Sequence, residues 1–323
     1  MPDPVLQTTT KPRSVNELHP DAGAVLLSGA SGMMGRAIAR LLTLEKYSLL
    51  KLVRRAAGES EMHWNPVPGG GIDDPQRLEG IQAAIHLSGA NVAAHRWSAA
   101  WKREMAESRL QSTQILSQAL ARLKSPPAVL VAASAIGFYG DRGEEILEED
   151  SQPGTGLLPD LCSRWEAATH PARQAGIRVV HLRLGIVLGA KGGALPRMLP
   201  LFRLGLGGPL GSGRQWMSWI AEADAAAAFL FALRNPALRG PVNAVAPQPV
   251  TNAEFTRQLA RAVHRPAFMK APAFALRLAF GQMADEALLA SAHVLPQRLT
   301  DAGFPFTHPT LAAALAAATT VQG

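Results

Sequence analysis

Short apolar runs alternate with stretches of helical periodicity through the first half of the chain, and that alternation predicts strands separated by helices. Residues 24–28 are almost continuously apolar and stop at Gly29, as expected of a strand buried on both faces. Across 33–44, Ile38, Leu41 and Leu42 fall at helical spacing, so the link between is a strand-to-helix turn. A second strand is predicted at 47–53 and another at 83–87. A long helix is predicted over 97–123, with Met105, Leu110, Ile115, Leu116 and Leu120 near one face; Pro126 and Pro127 stop it. A strand at 128–133, a helix at 162–174 ended by Gly176, and a strand at 178–183 complete the series.

Apolar strands alternating with helices predict an α/β, doubly wound parallel sheet covered on both faces, the Rossmann architecture. Beyond residue 190 the pattern changes. A Gly- and Pro-rich stretch at 189–213 leads into helical segments and an Ala- and Leu-rich end, which predicts a smaller, mainly helical C-terminal lobe. The expected organisation is a loosely ordered leader at 1–22, a nucleotide-binding domain at 23–190 with later strand contributions up to about 246, and a substrate lobe at 191–323. No repeat of 20 to 50 residues interrupts this order.

Composition narrows the function. Of the 323 residues, 47% are hydrophobic and 18% charged, which excludes general disorder. A single cysteine, Cys162, excludes an intramolecular disulfide framework and a multi-Cys zinc site, and suits a reducing, cytoplasmic location. No apolar run of about 18 residues occurs, so no transmembrane helix and no membrane partner are expected. The net charge of +7 comes from scattered residues without a basic block, which argues against nucleic acid and for a solvated surface. Excess positive charge also suits a polyanionic cofactor. The nine His residues show no ligand spacing, so no metal is expected.

The chemistry concentrates in the first turn. Gly29, Gly32 and Gly35 have the spacing G-x-x-G-x-x-G between a strand and a helix, with Ser31, Met33 and Met34 in the same turn. The first Gly permits a tight bend, the second lets a pyrophosphate approach the backbone, and the third lets helix and strand pack closely. The second strand ends in Arg54 and Arg55 with no acid beside them. An acid there would bond a ribose 2′-hydroxyl, whereas Arg accommodates a 2′-phosphate, so NADP is expected rather than NAD. The plainer reading of the two arginines is solvent-facing charge.

This turn, the strand ending Leu87-Ser-Gly-Ala-Asn91 and the strand ending Ala133-Ser-Ala-Ile-Gly-Phe-Tyr-Gly140 resemble the extended short-chain dehydrogenase/reductase superfamily. Arg96-Trp97, Ser108-Arg109, Trp165-Glu166, the stretch 202–213, Asn252-Ala-Glu-Phe255 and Leu295-Pro-Gln-Arg298 are similar to its nucleoside-diphosphate-sugar epimerase branch with a C-terminal extension. The resemblance implies that Ser134 orients a substrate oxygen. It also implies cofactor contacts for Leu87, Ser88 and Gly89, for Arg109 at the pyrophosphate, Glu104 at a ribose and Glu166 at the nicotinamide end. The superfamily's Y-x-x-x-K pair is missing: Leu158 and Cys162 stand where Tyr and Lys belong. Tyr139 is the one nearby phenol, either an acid/base or a structural aromatic of the pocket wall. The Gly-rich stretch 205–213 with Arg214, Trp216 and Trp219 either meets a sugar phosphate or joins the lobes, and Ala221 stands where the branch has His.

These features imply an NADP-dependent oxidoreductase or epimerase acting on a small hydroxyl- or carbonyl-bearing substrate, free or nucleotide-linked. The alternative is a non-catalytic NADP(H)-binding sensor or scaffold without the Tyr/Lys pair. Assembly as a homodimer is left open.

Overall fold

In the computed structural model, residues 23–320 are described, so the expected leader lies outside them. Seven strands form one parallel sheet: β1 (Val25–Ser28), β2 (Leu49–Val53), β3 (Glu61–His63), β4 (Ala83–His86), β5 (Val129–Ala135), β6 (Arg178–Leu184) and β7 (Gly240–Ala244). Their order across the sheet is β7-β6-β5-β4-β1-β2-β3. The chain therefore reverses direction between β1 and β4, and in such sheets ligands bind at this reversal, beyond the strands' C-terminal ends.

The apolar strands are continuous because both faces are covered. Val25 and Leu27 pack with Ile38, Leu42, Ala225 and Phe229, while Leu26 between them packs with Leu116, Leu120 and Leu130 on the opposite face. Helices α1 (Met33–Leu44) and α6 (Glu222–Arg234) cover the first face. Helices α2 (Ala99–Ala121), α3 (Leu157–Ala167) and α4 (His170–Gln174) line the second side, α2 packing on both α3 and α4.

The helix expected over 162–174 is two helices. Pro171 at the start of α4 has no N–H to continue α3, and Thr169 Oγ1 turns back to donate to Glu166 O at 2.7 Å. The third strand escaped the sequence reading because it has three residues, two of them polar, at a sheet edge. The second strand starts at Leu49 rather than 47, since Tyr47 is spent in the core beneath α6.

The C-terminal region is mainly helical, with α5 (Leu195–Arg203), α7 (Asn252–Ala262), α8 (Ala273–Phe280), α9 (Gln297–Asp301) and α10 (Leu311–Thr320). It has its own apolar centre, where Leu195, Leu199 and Phe202 meet Phe255, Leu259 and Leu315. Two of its parts return to the sheet: α6 lies on α1, and β7 pairs with β6.

Candidate functional site: a dinucleotide cleft with an apolar reaction end

The turn after β1 has the geometry its glycines require. Gly29 is left-handed at φ +71°, and a Cβ there would lie 2.9 Å from the Leu87 backbone. A Cβ on Gly35 would sit on Gly29 O and 2.7 Å from Ala30 Cα, so helix and turn touch backbone to backbone. Gly32 differs: its φ is −69°, which any residue adopts, and a Cβ would meet only Gly29 O at 3.4 Å. Nothing in the chain demands glycine there. Gly32 faces open space at the N-terminus of α1, whose first turn holds no acid and no side-chain cap. A phosphate fits that cradle, accepting from helix amides at the positive end of the helix dipole. Ser31, Met33 and Met34 flank it, and Arg36 donates to Ser31 O at its exposed rim.

Across the crevice, Leu87 N donates to Ser28 Oγ at 3.2 Å and ties the end of β4 to β1. Behind them lies a buried polar chain that the sequence reading missed. Ser28 Oγ is 2.7 Å from His86 Nδ1, and Thr113 Oγ1 is 2.9 Å from His86 Nε2. Trp165 Nε1 donates to that same Thr113 oxygen at 2.9 Å. Burial among hydroxyls pushes His86 down to about 3, so it is a neutral spacer. Its signal was a His inside an otherwise apolar strand. Ser88 and Gly89 follow at the rim. A Cβ on Gly89 would meet Arg109 Cγ at 2.9 Å, which places the Arg109 side chain directly against this loop.

Arg109 has no carboxylate partner among the described residues. Its guanidinium donates to Met105 O at 3.0 Å, lies 5.1 Å from the Trp165 ring centre, and is pushed down from the ordinary arginine value by burial. A half-buried cation left uncompensated by the chain suits an anionic ligand. Glu104, one turn earlier, is exposed, and Ser108 rather than Glu104 meets the rim, accepting from Ala90 N at 3.0 Å.

The two arginines at the end of β2 separate. Arg55 is committed to Glu61, each terminal nitrogen 2.8 Å from a carboxylate oxygen. Arg54 is exposed and has no partner among the described residues. The structure thus leaves one guanidinium of the two, that of Arg54, without an ion-pair partner among the described residues.

At the other end the expected proton-handling groups face inward. Ser134 is buried and donates to Glu166 Oε1 at 2.7 Å. Glu166 is gripped by Arg183, with Nε to Oε1 at 2.8 Å and Nη2 to Oε2 at 2.9 Å. Burial pushes the Glu166 carboxyl up, but the guanidinium and the Ser134 hydroxyl outweigh it and hold the group below the usual carboxylate range. Tyr139 is 0% exposed; its hydroxyl lies 2.7 Å from Asn243 Oδ1 and 3.0 Å from Glu148 O, and accepts from Arg183 Nη1 at 3.0 Å. Burial raises this phenol above its ordinary value despite Arg183. Ser134, Tyr139 and Glu166, the groups expected to meet substrate or nicotinamide, thus have their polar atoms engaged inside the protein. All three belong to an internal strut, with Arg183 and Asn243, that joins β5, β6, β7 and α3. On β5, Ser134 reaches Glu166 of α3, and its neighbour Ala135 packs in the cluster that holds Phe138, Tyr139 and Cys162.

The cleft end itself is apolar. The turn at 136–138 carries Gly137, where a Cβ would meet Leu158 Cβ at 3.3 Å and Cys162 Sγ at 3.8 Å. Burial pushes the Cys162 thiol up to about 12, which leaves it a protonated packing group. The C-terminal region closes over this end: Arg96 Nη2 donates to Leu278 O at 3.2 Å, Lys102 Nζ to Gln282 Oε1 at 3.0 Å, and Leu158 N to Glu286 Oε2 at 2.8 Å. Farther off, Trp216 stacks on His293 at 3.9 Å and donates to Glu144, so it is occupied within the chain; Trp219 is wholly buried. Among the described residues no cluster of His, Cys, Asp or Glu could hold a metal ion.

A parallel sheet in this order, a phosphate cradle at its reversal and a lobe closing over the far end define a dinucleotide-binding protein of the Rossmann class. Comparison with known families agrees. Residues 25–245 match the model of the NAD dependent epimerase/dehydratase family, and residues 271–318 match a domain of unknown function, DUF1731. The chain belongs to the NAD dependent epimerase/dehydratase family. It is 46% identical over 300 residues to the epimerase family protein MT2273 of Mycobacterium tuberculosis, covering 93% of this chain and 98% of that one. Among solved structures, human epimerase family protein SDR39U1 (isoform 2) with NADPH superimposes with a TM-score of 0.85 at 33% identity, covering 92% of this chain and 99% of that one. A nucleoside-diphosphate sugar epimerase from Corynebacterium glutamicum gives 0.76 at 32% identity, covering 92% of this chain and 58% of that one.

Proposed function

We propose that the protein is an NADP(H)-dependent oxidoreductase or epimerase acting on a small hydroxyl- or carbonyl-bearing substrate held under residues 278–286. The observation that carries the cofactor part is Gly32, a glycine that neither backbone angle nor packing requires. Arg54, unpartnered at the end of β2, supports the 2′-phosphate form, and the NADPH in the human relative's structure agrees. When bound, the nicotinamide supplies a hydride donor or acceptor. Helix α1 and Arg54 bind phosphates, Arg109 offers its charge from the Gly89 side, and the Leu158–Cys162 wall excludes water. Ser134 and Tyr139 would pass a proton to a substrate only by giving up their bonds to Glu166 and Asn243.

A second reading, an NADP(H)-binding sensor without turnover, is favoured by the inward commitment of Ser134 and Tyr139. Fluorescence titration with NADPH and NADH tests the first part. Arg54→Ala should weaken NADPH at least about tenfold while barely changing NADH, and Arg55→Ala should do much less. Equal losses for both cofactors would remove the 2′-phosphate assignment. NADPH oxidation against a panel of carbonyl and nucleotide-sugar substrates then separates the readings: bound cofactor with no turnover on any of them favours the sensor.

A further inference from the structure

Two stretches, 190–221 and 255–284, together contain nine Lys and Arg and no Asp or Glu, in a chain with 25 acids. The fold lays them side by side. Met269 N donates to Gly207 O at 3.1 Å, Ala271 N to Pro209 O at 3.0 Å, and Arg265 Nε to Arg203 O at 3.1 Å. The loop leaving α5 therefore runs along the loop entering α8.

The same stretches carry eight of the eleven large apolar side chains that stand exposed among the described residues. Phe274 and Leu278, one turn apart on α8, are 72% and 78% exposed, and Phe268 in the preceding loop is 73% exposed. Leu204, Leu206 and Met269 extend the series across both loops. The other three exposed apolar residues, Leu44, Val67 and Ile146, are scattered, as on any soluble surface. A concentration of this kind marks an interaction surface.

Charge selects the occupant. Arg203, Arg261, Arg265 and Lys270 are exposed among these apolar side chains, and acids enter only at the margins, where Glu254 pairs with Arg257 and Asp285 with Arg277. A second copy of the same face would bring like charge against like. An anionic phospholipid surface complements both properties, since Phe and Leu enter the headgroup–acyl boundary while Lys and Arg meet phosphates. We propose that this face docks peripherally on anionic membranes. No described helix is long and apolar enough to cross a membrane, and peripheral docking needs none. The expectation of no membrane partner rested on that missing span alone.

Flotation of the full chain with phosphatidylcholine vesicles, with and without about 30% phosphatidylglycerol, tests this. The expected result is association with the anionic vesicles only, declining as salt rises from about 0.05 to 0.5 M. Phe274→Ser with Leu278→Ser, and separately Arg265→Gln with Lys270→Gln, should each lower partitioning at least about tenfold. Thermal melts like the parent's would show that both variants are folded. Three results would each overturn the proposal: association with neither vesicle, association indifferent to the Phe274/Leu278 change, or a concentration-dependent dimer that this change abolishes.

Discussion

Gly32 and Gly35 are three residues apart in one turn, yet they should fail in opposite ways when given a methyl group. At Gly35 the new Cβ lands on Gly29 O and within 2.7 and 2.8 Å of Ala30 Cα and C. All three are backbone atoms, so the β1–α1 junction itself must open. Overpacking of that kind costs about 1–3 kcal/mol, or several degrees of Tm in a chain of this size. At Gly32 the Cβ meets only Gly29 O at 3.4 Å, and φ of −69° suits alanine. Gly32→Ala should therefore cost less than about 1 kcal/mol of stability, the scale of an N-cap change. Its methyl would instead occupy the phosphate's approach to the helix amides, weakening NADPH at least about tenfold, or ~1.4 kcal/mol. Thermal melts of the unliganded protein and NADPH titrations, run on both variants, separate the two effects. If Gly32→Ala bound NADPH as tightly as the parent, the turn would not be the phosphate cradle. If it melted as low as Gly35→Ala, packing rather than ligand would explain the glycine.

Tyr139→Phe removes a buried hydroxyl from Asn243 and Arg183, and should cost about 1–3 kcal/mol in urea unfolding while leaving NADPH binding unchanged. Lost turnover at unchanged stability would return the phenol to the reaction. His86 and His181 are held neutral by burial, at about 3 and about 4 against an ordinary 6.5. The unfolded chain takes up these protons first, so stability is full above pH 6.5 and falls below it, by about 1.4 kcal/mol per unit for each. Urea unfolding at pH 5.5 should then show about 3 kcal/mol less stability than at pH 7, and a flat profile would contradict the neutral assignments.

The sheet and its glycine turn were legible because their physics is local: a strand buried on both faces must be apolar throughout, and a tight turn must hold Gly29. The partners of polar residues were not legible, because they come from distant strands. Arg55 and Arg54 are equivalent in sequence, and only the edge strand carrying Glu61 separates them. The partner of Ser134, Glu166, comes from α3, and nothing local in the strand announces it. Arg183 and His86 carried a readable signal, a polar residue inside a buried apolar run, since such residues must find partners.

The two ends of the cleft follow different rules, and that difference bears on mechanism. At the phosphate end, groups are left uncompensated: open backbone at Gly32, an unpaired Arg54, and Arg109 without a carboxylate. A chain that tolerates buried or concentrated positive charge without internal partners has an external one, because desolvating it alone is costly. At the far end, Ser134, Tyr139, Glu166 and Arg183 are bonded to one another within the protein, and Leu158 and Cys162 line the turn at Gly137. Breaking that strut by removing Glu166 would strand Arg183, whose side chain is only 4% exposed, so the strut cannot be lent to a substrate proton without unfolding cost.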